Sequence, residues 1–353
     1  MAQLMEYLEK AVRDGASDLF FVAGGPAFAK VEGQLVPLAG EKLLPAESSR
    51  LIDEIYSMAK RSRDVFLVEG DDDFSFDVPG LSRFRVNAYR QRGSMAAVIR
   101  VVSFDIPDWQ EYNIPEEVMR LAELRSGMIL FSGTAGSGKT TTQACLVDRI
   151  NRTRSCHIVT LEDPIEFLHR NRLSIVSQRE VAVDTKDFIS GLRACLRQAP
   201  DVIQLGEMRD MQTIQTAMTA AETGHLVLAT LHTGGAIHSV NRVIDVFPAN
   251  QQEQIRMQLS TVLRTVVSQQ LLPDTKGGLV PAFEVMHLND AIRTNIREKK
   301  EHQMAMVLAS GAAEGMITMD MSILKLYQEG HIDRETALKY AENREQMLRR
   351  MGK

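Results

Sequence analysis

The spacing of apolar and polar residues divides the chain into two regions with different rhythms. In the first, residues 1–13 predict a short helix, and Ser17 to Val22 and Ala27 to Val31 predict strands set off by the turns Gly24-Gly25-Pro26 and Glu32-Gly33. Leu51, Ile52, Ile55 and Met58 recur at helical spacing within Glu47 to Lys60. Asp73 to Val78 alternates strictly. Phe84, Val86 and Ala88 interleave with Arg83, Arg85 and Asn87, and Ser94 to Val102 predicts one more strand. The expectation for residues 1–103 is an α+β domain with an antiparallel sheet. Residues 104–115 hold two prolines, Trp109 and Tyr112 and no clear period, and predict a linker. It is either pinned to a surface by its aromatics or a plain ordered loop.

From Glu116 onward, strands alternate with helices. Met128–Phe131, His157–Leu161, Ser174–Ser177, Val202–Leu205 and Leu226–Thr230 predict strands, with helices of ten or more residues between most of them. That rhythm predicts an α/β domain with a mostly parallel, doubly wound sheet over residues 116–353. After Pro248 the pattern turns mainly helical. A long helix is expected over Gln251 to Leu272, a strand over Leu279 to Met286, and helical segments from Asp290 to Met351 broken at Gly311, Gly315 and Gly330.

The chemistry centres on Gly133-Thr134-Ala135-Gly136-Ser137-Gly138-Lys139-Thr140, which fits G-x-x-x-x-G-K-[ST]. An apolar run precedes it and a predicted helix from Thr141 to Ile150 follows, which is the context the motif requires. Its glycines let successive backbone N–H groups converge on one anion, and the helix N-terminus adds its positive dipole end. Lys139 would reach the terminal phosphates, and the Thr140 hydroxyl would sit on Mg²⁺.

Four more clusters bear on this loop. Glu162-Asp163-Pro164-Ile165-Glu166 follows a strand, so its acids fall at the sheet's carboxyl edge; a metal or proton-transfer role and a solvated turn are equally open. Val202 to Leu205 runs into Glu207, the Walker B arrangement that sets a carboxylate beside Mg²⁺. Asp210 is expected to cap the next helix and Arg209 to form an ion pair. His225 and His232 bracket a strand at a seven-residue spacing; if both lay in it they would face opposite sides, which disfavours a shared metal. Arg83, Arg85, Arg90, Arg92 and Arg100 crowd two adjacent strands of the first region. They read either as a solvated face or as arginine fingers reaching a γ-phosphate.

Composition narrows the class. The 353 residues are 44% hydrophobic and 25% charged, as in ordinary globular chains. A net charge of -5, with no basic run or aromatic stacking platform, argues against a nucleic-acid translocase. The three cysteines form no C-x-x-C pair, which points to a reduced, cytoplasmic setting. No apolar run reaches the roughly 18 residues of a membrane helix, and the N-terminus does not read as a secretory signal. A membrane role would then come through a partner.

Taken in order, these motifs resemble those of the secretion and type IV pilus motor ATPases, most closely the pilus retraction ATPases of the PilT type. The likeness is carried by Gly-Ala-Ser-Asp at 15–18, Arg-Phe-Arg-Val-Asn-Ala at 83–88, the phosphate loop and Glu-Asp-Pro-Ile-Glu-Phe at 162–167. It continues through Gln-Arg-Glu-Val at 178–181, Gly-Glu-Met-Arg-Asp at 206–210, the histidine box at 221–233 and Ala-Ile-Arg-Thr-Asn-Ile-Arg-Glu at 291–298, the signature linked in that family to retraction.

The resemblance implies a PAS-like N-terminal domain and a RecA-like P-loop ATPase domain in a homohexameric ring. The ring would be cytoplasmic, peripheral at the inner face of the cytoplasmic membrane, and would act on the platform protein at the pilus base. It would work with the assembly ATPase or a second retraction ATPase and without nucleic acid. ATP and Mg²⁺ are the implied cofactors, with Gly133 to Thr141 on the nucleotide and Thr140 and Glu207 on the metal. Glu166 would polarise the attacking water, the two glutamates' roles being exchangeable or shared. His225 and His232 match residues that lie by the nucleotide, and Arg85 and Arg100 match arginines that reach the γ-phosphate. Two departures stand out: Gly-Thr-Ala-Gly replaces the usual Gly-Pro-Thr-Gly, and Thr294-Asn295 replaces Asn-Leu. An assembly or type II secretion motor is the alternative, and the absence of a four-cysteine zinc module weighs for retraction.

Overall fold

A computed structural model of the chain describes residues 2–31, 33–102 and 106–352. The expected turn residue Glu32, the expected domain end at Ser103 and the expected linker start at Phe104 lie outside these. The chain divides into two compact units, Met1–Asp105 with Glu166–Leu168, and Ile106–Ile165 with His169–Lys353.

The first unit runs α1 (Ala2–Arg13), β1 (Asp18–Phe21), β2 (Phe28–Val31), β3 (Gln34–Pro37), α2 (Pro45–Ala59), α3 (Asp64–Glu69), β4 (Asp71–Val78), β5 (Ser82–Gln91) and β6 (Ser94–Val102). Its six strands pair antiparallel in the order β3-β2-β1-β6-β5-β4. Alternation fixes the buried face: Phe84, Val86, Ala88, Ala97 and Ile99 meet Leu4 and Leu8 of α1 and Leu51, Ile52 and Ile55 of α2 in one core. Helix α2 begins on Pro45, at a position where a missing N–H costs nothing, and the Glu47 carboxylate accepts from the Leu44 N–H at 2.7 Å. This is the expected antiparallel α+β domain. The pattern did not announce β3, because all four of its residues are exposed and none marks a buried face. Nor did it announce the six-residue α3.

The second unit runs α4 (Glu116–Met119), β7 (Gly127–Ser132), α5 (Lys139–Thr153), β8 (His157–Glu162), β9 (Ile175–Glu180), α6 (Phe188–Cys195), β10 (Val202–Leu205), α7 (Met211–Glu222), β11 (Leu226–Leu231), α8 (Ala236–Asp245) and α9 (Ala249–Val262). It continues with β12 (Leu263–Pro273), β13 (Leu279–His287), α10 (Asp290–Arg297), α11 (Glu301–Ser310), α12 (Met319–Gln328), α13 (Arg334–Tyr340) and α14 (Arg344–Met351). The seven strands lie in the order β13-β12-β7-β11-β10-β8-β9, and only the β12–β13 pair is antiparallel. Every residue of β7, β10 and β11 is buried, as strands covered on both faces require. Helices α4 and α5 cover one face through Val118, Leu146, Val147 and Ile150, and α6 to α11 cover the other through Leu192, Ile214, Val240, Leu259, Ile292 and Met304. This is the mostly parallel, doubly wound arrangement that the strand–helix alternation predicts, and it fits the RecA-like domain that the resemblance implies.

One long element was misread. The helix expected over Gln251 to Leu272 ends at Val262, and the chain continues as β12. Thr265, Val266 and Val267 are β-branched and favour a strand, whereas the glutamines and leucines around them suit either state. Strand β9 also runs to Glu180 rather than stopping at Ser177. In the expected linker, Trp109 packs against the apolar cluster on the α5 face, with the Arg149 guanidinium 5.8 Å from its ring centre.

Strand β13 is joined to two helices by a single buried carboxylate. Glu284 accepts from the Ala236 N–H at 2.6 Å and the Met319 N–H at 3.3 Å, at the starts of α8 and α12. Burial pushes its carboxyl above the ordinary range, against the pull of those two hydrogen bonds. The folded protein therefore holds this proton more tightly than the unfolded chain does. The contribution to stability is complete below about pH 4.5, the ordinary value, and is lost as pH rises through the folded value. Glu284→Gln should flatten this dependence, read as urea midpoints from pH 4.5 to neutrality. A variant whose midpoints track the native protein in parallel would contradict the assignment.

Candidate active site

Parallel pairing decides where the site lies. Ser132 ends β7 beside Leu231 of β11, and Leu205 ends β10 level with Leu161 of β8 and Ala229 of β11. The segments that follow these strands therefore leave the sheet on one edge, the carboxyl edge where such folds bind ligands. The loop 133–138, Asp163, Glu207 and His232 follow strands at that edge, and Glu162 ends one there.

The phosphate loop is closed by its own lysine. Lys139 is buried, and its Nζ donates to the carbonyl oxygens of Gly133 and Thr134 at 2.8 and 2.7 Å and to Ser137 Oγ at 3.3 Å. Thr134, Ala135 and Gly136 are exposed, while Thr140 and Thr141 are half-buried on the first turn of α5. Gly138 has φ +85° where the loop enters the helix, a conformation that glycine adopts at little cost. Beside the loop, Gly138 and Thr141 border a cavity of about 490 Å³ walled by Tyr112, Ile114, Leu271 and Leu279. Its size and largely apolar wall suit a small organic group. A larger cavity of about 790 Å³, bordered by Trp109, Phe283, Met316 and Lys325, is lined by none of the candidate site residues.

Glu207 is 8% exposed, in the loop after β10. One carboxylate oxygen meets Arg209 Nη2 at 2.6 Å and the other meets His232 Nε2 at 3.2 Å. Residues from the Walker B segment and the histidine box thus touch although 25 positions apart. Arg209 forms the expected ion pair, and Asp210 caps α7 by accepting from the Thr213 N–H at 2.9 Å.

The acids after β8 divide into two kinds. Glu162 is buried and accepts from Thr160 Oγ1 at 2.5 Å and Gln178 Nε2 at 3.1 Å, so it belongs to the framework. Glu166 is exposed, beyond the Asp163–Pro164 turn.

The two histidines do not come together. His225 precedes β11 and His232 follows it. The six residues between them, at about 3.3 Å each, put some 20 Å of strand between the two. His225 sits at the amino edge, where its backbone oxygen accepts from the Gly127 N–H and its Nδ1 lies 2.9 Å from the Ala220 carbonyl oxygen. Within its own chain it is therefore remote from the phosphate loop, because strand direction separates what the box motif groups.

In the first unit, Arg85 of β5 pairs in register with Arg100 of β6. Arg100 Nε donates to Asp18 at 3.0 Å. Arg85 makes no ion pair among the described residues. Opposed like charges on neighbouring strands cost stability, so this pair is not explained by packing alone. Arg83 is held by Asp77 at 2.7 Å, and Arg90 lies over the Phe66 ring.

Sequence reasoning missed Gln269 and Thr142, which meet behind the loop. Thr142 Oγ1 donates to Gln269 Oε1 at 2.8 Å. The β-branched run at 265–267 was the available signal for the strand that carries Gln269.

With the geometry in hand, comparisons with known proteins give a consistent result. The family model described as Type II/IV secretion system protein matches residues 1–352. The chain is 42% identical over 335 residues to the Type IV pilus retractation ATPase PilT of Pseudomonas aeruginosa, covering 95% of this chain and 96% of that protein. It is 44% identical over 291 residues to a twitching motility protein of Neisseria gonorrhoeae, covering 82% and 78% respectively. The crystal structure of the pilus retraction motor PilT with bound ADP superimposes with a TM-score of 0.89 at 43% identity, over 98% of this chain and 99% of that one. The chain therefore belongs to the type II/IV secretion system protein family and, within it, to the PilT-type motor ATPases.

Proposed function

We propose that this protein is a hexameric, ATP-hydrolysing motor that powers type IV pilus retraction from the cytoplasmic face of the inner membrane, acting on the platform protein at the pilus base. The observation that carries the reading is the convergence on one sheet edge of a glycine-rich loop closed by Lys139 and a Glu207–His232 contact. The relatives' names supply the biological setting: a pilus retraction ATPase and a twitching motility protein. A second retraction ATPase or the assembly ATPase would be its working partner.

In this reading, the N–H groups of residues 133–141 hold the phosphates of ATP, and Lys139 exchanges its loop carbonyls for phosphate oxygens. The nucleoside takes the cavity beside Gly138 and Thr141. Exposed Glu166 orients and polarises the attacking water, and Glu207 and His232 form a coupled pair at the terminal phosphate. Arg85 and Arg100, supplied by a neighbouring subunit, offset charge that develops on the transferred phosphoryl group. His225, far from its own loop, would serve at a subunit boundary.

The donor set fits Mg²⁺. Thr140 and Glu207 offer oxygen ligands, and no group of three or more His, Cys, Asp or Glu among the described residues forms an all-protein cage. Mg²⁺ usually takes one or two protein oxygens and completes its shell with phosphate and water. Thr140 and Glu207 would hold it, with Arg209 yielding its place on the carboxylate. Bound there, the ion supplies charge neutralisation to the phosphates.

Lys139→Ala and Glu207→Ala should each lower ATP turnover by about 100-fold or more, the scale of losing one electrostatic stabiliser. Phosphate release by the purified full chain checks this, and native-like turnover in both variants would defeat the site. EDTA should stop turnover and added Mg²⁺ should restore it. In cells, deleting the gene should leave surplus surface pili and no twitching, whereas loss of pili would identify an assembly motor instead.

A further inference from the structure

The phosphate loop is backed by a residue outside the known loop motif. Gln269 is 3% exposed, on β12, the strand that neighbours β7 on the side away from β11. Three contacts converge on it. A Cβ built on Gly138 would stand 2.7 Å from Gln269 Nε2, and one built on Gly133 would run into the Gln269 carbonyl oxygen. The side-chain oxygen accepts from Thr142 on the first turn of α5 at 2.8 Å. One residue thus touches the beginning of the loop, its end and the helix it feeds. The residue also borders the cavity beside Gly138 and Thr141.

We propose that Gln269 is a positioning residue for nucleotide binding, resting on the ATP-binding reading above. Its oxygen fixes the rotation of α5 through Thr142, and its NH₂ group faces the loop–helix junction, where a donor suits a bound anion and an acceptor does not. The two contacting glycines follow from this: a side chain at 133 would run into the backbone of β12, and one at 138 would displace the Gln269 carboxamide. The residue touches the loop rather than the reacting atoms, so its effect falls on binding.

The test uses the full-length chain and three variants, Gln269→Leu, Gln269→Glu and Thr142→Val, measuring Kd for ADP, KM and kcat for ATP, and thermal midpoint. Gln269→Leu should raise Kd and KM about tenfold, equivalent to roughly 1.4 kcal/mol, with kcat at saturating ATP nearly unchanged. Thr142→Val should move the same constants in the same direction by less. Gln269→Glu keeps the acceptor for Thr142 but buries a carboxylate without a counter-charge, so its thermal midpoint should fall below that of Gln269→Leu. At neutral pH it should also bind ADP more weakly than Gln269→Leu, because it sets a negative charge beside the phosphates. Relative to the native chain it should regain affinity as the pH is lowered and the carboxyl takes up a proton, while Gln269→Leu shows no such recovery. A merely structural residue would lower the active fraction, and kcat with it, and leave Kd and KM of the folded protein native. If Kd is native in both Gln269 variants, or if the Gln269→Glu loss does not recover on acidification, the proposal is wrong. Native protein and Lys139→Ala run alongside: native binding lost on Lys139→Ala but kept in the Gln269 variants would sink this inference alone, and no binding by the native chain would sink both.

Discussion

Parallel pairing of β12, β7, β11, β10, β8 and β9 is the constraint on which the rest of the second unit depends. Strands that run the same way release their following loops on the same edge. Residues dispersed over a hundred positions then share one surface without any long excursion of the chain. Direction also excludes: His225 and His232 belong to one sequence box, yet strand β11 carries them to opposite edges. A twofold repeat of apolar residues would have tolerated either direction. What fixes it here is the crossover that returns the chain across the sheet between successive strands, a helix in every case but β8 to β9, where residues 163–174 make the return without one.

The buried charged groups at that edge are held in specific company. A buried cation or carboxylate without partners is costly, so burial of Lys139 demands the loop oxygens around it, and burial of Glu207 demands Arg209 and His232. In the proposed motor these partners would be exchangeable. A phosphate oxygen can replace a carbonyl oxygen on Lys139, and a metal can replace a guanidinium on Glu207. Glu162 differs, because its carboxylate is tied to Thr160 and Gln178 on the same sheet face and has no such freedom. Two glutamates four residues apart thus separate into a framework group and an exposed group suited to water, a distinction made by burial rather than by residue type.

The sequence made some of this plain. Short apolar runs such as Met128 to Phe131 and Leu226 to Thr230 fit inner strands by their length, and the alternation of Phe84, Val86 and Ala88 fits a half-covered one. The glycine loop was legible because its spacing and flanks are fixed by anion geometry. Boundaries and contacts were less so. The exposed β3 carries no alternation to read. The stretch from Gln251 to Leu272 shows apolar residues compatible with both periods until the β-branched run at 265 tips it toward a strand. The Glu207–His232 contact needs the strand order, which no local pattern encodes.

That single misread stretch hid the other half of the loop's support. Strand β7 has two neighbours with different chemistry: β11, beyond which lie the acids and His232, and β12, whose contact with the loop is a neutral carboxamide. The asymmetry suits an anion site. Acids are useful at the terminal phosphate, where metal and water gather, and harmful behind the loop, where only backbone N–H groups and the lysine face the charge. A neutral side chain with both a donor and an acceptor can brace the loop there without opposing the ligand. Gln269 meets that requirement through one oxygen on Thr142 and one NH₂ beside Gly138. Strand order, not loop sequence, selects the residue that can fill the position.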